Sequence, residues 1–255
     1  WRTTNNQKID QTKGLNSDLS DSQLKNEALA FGLSRFGEDS QIGFSISVLD
    51  AQYGLIGSLE EEPEEASDAA TGLIKMEQVR TDFEAQFNSP FTGIESINFR
   101  LGINDYQHQE IEGSGELGTV FENDAWEGRV ELNHAAIKGI QGTLGLQLNN
   151  REFSAIGEEA FVPPVETQSA GLFWVGEKNF ERFDLESGLR IENLEHRPSS
   201  GEIAARDFST VSSSLGIVIP FANGLSVAGL MDYSSRAPSI EELYSNGPHL
   251  ANQTF

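Results

Sequence analysis

Apolar residues in this chain recur at every second position, and that period constrains its fold more than any other feature. Ile97, Phe99, Leu101 and Ile103 alternate with Asn98, Arg100 and Asn104. Ile140, Leu144, Leu146 and Leu148 do the same against Gln141, Thr143, Gln147 and Asn149, and Leu185, Leu189 and Ile191 against Asp184, Glu186, Arg190 and Glu192. Residues 42–48 and 79–87 repeat the rule. Successive side chains on a strand point to opposite faces, so each window carries one apolar and one polar face. A helical period of 3.6 fits none of them, and the reading is antiparallel β.

A soluble sandwich shows the same alternation with its apolar faces in a core. Three features favour a membrane barrel instead. The periodic runs often reach the roughly 9–11 residues of a tilted membrane strand. The polar face carries charges and amides in nearly every strand, as a wet or plugged lumen requires. The connections also alternate in length. Short turns fall near Gly37-Glu38-Asp39, Ser89-Pro90, Ile137-Lys138-Gly139, Gly176 to Asn179 and Ala222-Asn223-Gly224. Long polar loops separate them at Gly57 to Gly72, Gln109 to Gly118, Ala155 to Val165 and Arg197 to Arg206. Tight turns on one side and extended loops on the other define the up-and-down transmembrane barrel of bacteria. Aromatic residues near strand ends, among them Phe36, Phe87, Tyr106, Trp126, Trp174 and Phe208, suit an interfacial girdle.

Composition excludes several function classes. A formal net charge of -23 over 255 residues repels the phosphates of nucleic acid and argues against a basic surface for anionic lipid. No run approaches the roughly 18–20 apolar residues of a membrane helix, a test that membrane strands escape. The lack of Cys fits either a reducing cytosol or a disulfide-free barrel. No nucleotide loop, zinc-hydrolase motif or Ser-His-Asp order marks an enzyme. About ten strands are legible, with partial ones at Trp1 and Phe255. The opening Trp1-Arg2-Thr3-Thr4 has no signal-peptide character, and both ends read as truncations of a larger cylinder.

Two stretches carry a family resemblance. The first runs Gly157-Glu158-Glu159-Ala160-Phe161-Val162-Pro163-Pro164, and the second Arg236-Ala237-Pro238-Ser239-Ile240-Glu241-Glu242-Leu243-Tyr244. Both resemble TonB-dependent outer-membrane receptors, particularly the zinc-uptake branch, as do Tyr106-Gln107-His108-Gln109-Glu110 and Glu127-Gly128-Arg129-Val130-Glu131-Leu132. The resemblance spans roughly residues 25 to 255 and follows the barrel, not the plug. It implies that residues 1–255 are part of a barrel of about 22 strands. It further implies energy-coupled uptake of a metal ion or metal chelate, zinc or an iron chelate being the cargo rather than a resident cofactor. The implied partners are outer-membrane lipid, the receptor's own plug (absent from this sequence) and the TonB energy-transduction complex. The implied location is the outer membrane of a Gram-negative bacterium.

Candidate ligand groups follow from spacing. His108 and Glu110 lie two residues apart and share a face if the strand continues, on the lumen side by the parity of Phe99 and Leu101. Imidazole plus carboxylate suits zinc, although zinc takes about four ligands. His249 stands in the turn-rich stretch after the second motif. His134 has the parity of Trp126 and Leu132 and is expected at the interface beside a short turn. His196 is expected in a loop with no particular role. Arg236-Ala237-Pro238 is expected to end a strand and shape a loop, because Pro cannot donate to a ladder. Zinc-branch relatives often carry a His-rich tract after Tyr53, where this chain has Glu60-Glu61-Glu62-Pro63-Glu64-Glu65. Two other functions share parts of the pattern: a passive porin-like channel, which lacks an upstream plug, and a soluble β-rich binding module, which needs no detergent.

Overall fold

The computed structural model describes residues 24–55, 72–112, 114–157, 160–222 and 224–245. Ten strands form one antiparallel sheet in sequence order. They are β1 (Leu24–Phe36), β2 (Ser40–Leu55), β3 (Gly72–Phe91), β4 (Ile94–Glu112), β5 (Leu117–Ile137), β6 (Ile140–Gly157), β7 (Val165–Asn179), β8 (Asp184–Pro198), β9 (Arg206–Pro220) and β10 (Ser226–Tyr233). One short helix, α1 (Ile240–Tyr244), follows. Every pairing joins chain neighbours, so the topology is a pure meander.

Hairpin chemistry explains the tight ends. Ile137 pairs with Ile140 across Lys138 and Gly139, whose φ angles are 54° and 80°. Two consecutive positive φ values make a two-residue turn whose twist matches that of the flanking strands. Three boundaries differ from expectation. The β3–β4 turn falls at Thr92-Gly93, because Ser89 and Pro90 sit in an irregularity of β3. The β7–β8 turn lies at residues 180–183, where Phe180 N–H donates to the Phe183 carbonyl and their rings stack at 4.5 Å, and β7 runs on through Asn179. The expected loop at Gln109 to Gly118 shrinks to residues 113–116, since β4 continues through Glu112.

The register sorts side chains into two faces. On one face, partners read across the sheet as Arg35, Ile42, Ala85, Phe99, Val130, Leu146, Leu172, Ile191 and Val211. Large residues of this row stay open: Leu146 is 42% exposed, Leu172 51% and Ile191 46%. Among the described residues the buried apolar set is small, with Ala51, Ile74, Ala85, Ala155, Val165 and Phe173 on the sheet. A sandwich would bury the apolar rows of two sheets against each other; here the described residues form one sheet and leave its apolar face uncovered.

The apolar band runs obliquely to the hydrogen-bonded rows. The row beginning Leu29, Val48 and Val79 is apolar, but it continues as Asp105 and, through the facing strands, Asp124, Glu152, Glu166 and Arg197. On β8 and β9 the apolar residues lie lower, at Leu185, Leu189, Ile191, Val211, Leu215 and Ile217. A band that stays level in a membrane crosses strand registers in this way only if the strands are tilted.

Candidate functional site

The opposite face is ionic and aromatic. Arg and a carboxylate two residues further along one strand share that face. Arg80 binds Asp82 at 2.7 Å, Arg129 binds Glu131 at 2.6 Å, and Arg190 binds Glu192 at 3.1 Å. Between the last two pairs lies Phe173, with the guanidinium carbons of Arg129 and Arg190 at 4.5 and 6.0 Å from its ring centre. Its ring occupies the space over Gly145 that any side chain there would claim. Arg190 also donates to Gln147 Oε1 at 3.2 Å.

Nearer the long-loop end, the same face turns aromatic. β4 does continue through His108 and Glu110, which share the face with Tyr106. Tyr106 Oη and His108 Nδ1 are 3.0 Å apart. The His108 ring stacks on Phe121 at 4.4 Å and 18°, and Phe121 leans on Phe153 at 6.5 Å, over which Arg151 sits at 5.1 Å. His108 Nε2 lies 3.9 Å from Glu110 Oε1. The two groups are therefore brought together with Nε2 turned toward the carboxylate. No cluster of three or more His, Asp or Glu side chains is placed to hold a metal among the described residues. His249 and the acidic stretch 60–65 lie outside the described residues.

His196 is not a loop residue, contrary to expectation. It belongs to β8, is 3% exposed, and engages both ring nitrogens. Nε2 lies 3.1 Å from the Pro238 carbonyl and Nδ1 lies 2.8 Å from Thr167 Oγ1. A carbonyl only accepts, so Nε2 carries the proton and, in the neutral ring, Nδ1 accepts from the Thr167 hydroxyl. The segment it anchors is the second family motif. Ser235 bonds Ser212 Oγ through both its N–H and its carbonyl. Arg236 forks onto Glu242 with two contacts of 2.7 Å. Ser239 and Glu242 form a capping box at the start of α1, and Ile240 is buried against Val162 and Val165. The Arg236 guanidinium, helped by the Ser239 N–H, pulls the Glu242 carboxyl down to about 2. The Arg-Ala-Pro stretch thus begins after β10 has ended at Tyr233 and leads into a helix, folded as a strap over the ionic face of β7–β9. The Ser-x-x-Glu spacing was the signal available for it.

The remaining candidates settle simply. His134 lies on the apolar face, where Nδ1 meets the Ala135 carbonyl at 3.0 Å and Nε2 accepts from Trp174 Nε1 at 3.4 Å. Tyr106 and Phe208 belong to the ionic face, bonded to or packed on His108 and His196, and so are not part of an outward aromatic girdle.

A meander with an open apolar face and an ionic opposite face is a piece of a membrane-type, up-and-down β-barrel wall. The model of the TonB dependent receptor-like β-barrel family matches residues 4–255, and the chain belongs to that family. Similar solved structures share little sequence. The copper transporter OprC matches at 12% identity and a TM-score of 0.69, over 88% of this chain and 38% of its own. The FrpB iron transporter from Neisseria meningitidis (F5-1 variant) matches at 12% and 0.72, over 93% and 41%. BauA, the ferric preacinetobactin receptor from Acinetobacter baumannii, matches at 12% and 0.62, over 83% and 40%. The chain thus spans well under half the length of each of these proteins.

Proposed function

We propose that the chain is part of the wall of an outer-membrane, TonB-dependent importer of a metal ion or metal chelate. The observation that carries this reading is the oblique apolar band, continuous across the sheet and left uncovered by the described residues. Acyl chains fit that band, and the tilt it encodes is that of a membrane barrel. The ionic face is then the lumen, and its Arg–carboxylate pairs suit contact with a plug domain carried elsewhere on the polypeptide. Energy comes from the TonB complex acting on that plug, because the outer membrane has no ATP. The long-loop end faces outward and the tight turns face the periplasm.

The similar structures include a copper transporter, an iron transporter and a ferric preacinetobactin receptor, which supports the metal or chelate class. Zinc is the member of that class favoured by the sequence resemblance. His108, Glu110 and His249 are the proposed contacts in the outer vestibule, with the remaining metal ligands supplied by cargo or water. Spin labels at Phe99 and Leu146 of the full-length receptor are expected to report lipid, and labels at Arg100 and Gln147 water. The reverse pattern would overturn the membrane reading. Titration of the same receptor with zinc, a ferric chelate and haem identifies the cargo, and equal indifference to all three would remove the metal class.

A further inference from the structure

The His108–Glu110 pair has a third member, Tyr106. All three side chains leave β4 on the ionic face, each two residues from the next. The imidazole between them has little freedom. Its plane is fixed by Phe121, the partner of His108 on β5, stacked on it at 4.4 Å and 18°. Its Nδ1 is engaged by the Tyr106 hydroxyl at 3.0 Å. Nε2 is left facing Glu110 Oε1 across 3.9 Å, and the two side chains are 22% and 29% exposed. That gap is too long for a hydrogen bond. Two ligands about 2.1 Å from one tetrahedral zinc stand roughly 3.4 Å apart, so a small turn of Glu110 closes the gap on a cation.

A metal takes an imidazole nitrogen through its lone pair, and the bond made by the other nitrogen decides which one is free. Binding through Nε2 therefore puts the ring proton on Nδ1, where it needs an acceptor. Without one, a half-buried donor is stranded. A phenol accepts as readily as it donates, so the Tyr106 hydroxyl answers Nδ1 in either tautomer. In the absence of metal, the Glu110 carboxylate draws the proton to Nε2 and the hydroxyl donates to Nδ1. With metal on Nε2, the same hydroxyl accepts. Phenylalanine would keep the edge-on ring contact with the imidazole, at 5.7 Å, and lose only this bond.

We propose that Tyr106 is the positioning residue of the cargo site: it acts on the metal only through His108, which it holds as a ligand through Nε2 alone. The proposal rests on His108 contacting metal cargo, and its test keeps the two separable. The full-length receptor in detergent is titrated with zinc ion against a competing chelator. Four forms are compared: wild type, Tyr106→Phe, His108→Ala and the double variant. Tyr106→Phe is expected to weaken zinc binding about tenfold, the low end for removing the hydrogen-bond partner of a metal ligand. In the His108→Ala background it is expected to change nothing further. A structural defect would not reproduce the second readout, the His108 ring nitrogens followed by NMR in receptor carrying isotope-labelled histidine. Zinc is expected to land on Nε2 and leave the proton on Nδ1 in the wild type, with the His108 signals assigned by their loss in His108→Ala. Zinc on Nδ1 would overturn the proposal. So would an unchanged affinity in Tyr106→Phe, or an equal loss with and without His108; a weakened His108→Ala would then leave the cargo contact standing. Zinc binding indifferent to His108→Ala, or absent from the wild type, would overturn both the role of Tyr106 and the contact through His108.

Discussion

His196 shows how one buried side chain decides the placement of a whole segment. Its two nitrogens serve Thr167 on the wall and Pro238 on the strap, so removing the ring leaves a hydroxyl and a carbonyl unpaired under α1. His196→Ala is expected to loosen strap docking by about 2 kcal/mol, the cost of stranding buried polar groups. Hydrogen exchange over residues 235–245 measures it, and unchanged protection would mean that Ile240 alone holds the strap. The Arg236–Glu242 clasp acts differently, because both groups are open to water. Its folded carboxyl titrates at about 2, below the ordinary carboxylate value. The clasp is therefore fully formed above the ordinary range and is lost as pH falls through about 2. Spin-label mobility at Ala237 is expected to stay constant down to pH 4 and rise toward pH 2, with Glu242→Gln mobile throughout; a rise already complete at pH 5 would contradict the assigned pairing. Neither device was readable from parity. Parity places His196 on the ionic face but is silent on a partner 42 residues away, whereas the capping box is local and was present as Ser239 and Glu242.

At the scale of strands, faces were legible and ends were not. Alternation is a property of each strand alone, so the apolar rows through Phe99, Leu146 and Ile191 could be written from the sequence. Ends depend on which side chains compete for the turn. Gly176 looked like a turn residue, yet it lies inside β7 because the Trp174 ring needs the space above it. Gly145 plays the same part for Phe173, which is how a charged lumen wall accommodates a ring between two guanidiniums. Gly145→Val is expected to evict that ring and cost about 1–3 kcal/mol in urea unfolding of the full-length receptor. In a Phe173→Ala background the same substitution is expected to cost little, since nothing remains to collide with. Additive losses in the double variant would place the defect in the backbone of β6 instead.

The whole sheet encodes its own tilt. The band is centred near Phe31 on β1, whose register row arrives at Asp207 on β9. On β9 the apolar residues centre between Ser213 and Leu215, about seven residues further along, or roughly 23 Å at the rise of a strand. Eight strand spacings of about 4.8 Å separate β1 from β9, which makes the obliquity roughly 30°, close to the tilt of membrane strands. No single strand contains this angle; it exists only in the relation between registers, which is why the sequence alone could support a barrel but not its geometry. A depth measurement follows directly. Labels on one hydrogen-bonded row, at Val48, Val79, Glu152 and Glu166, are expected to pass from the hydrocarbon to water, although the backbones are linked by a continuous series of partners. Labels following the band instead, at Phe44, Phe99, Leu172 and Leu215, are expected to sit within the hydrocarbon together. If the row stayed level and the band climbed, the strands would stand upright in the bilayer, and a tilted barrel wall would no longer describe this chain.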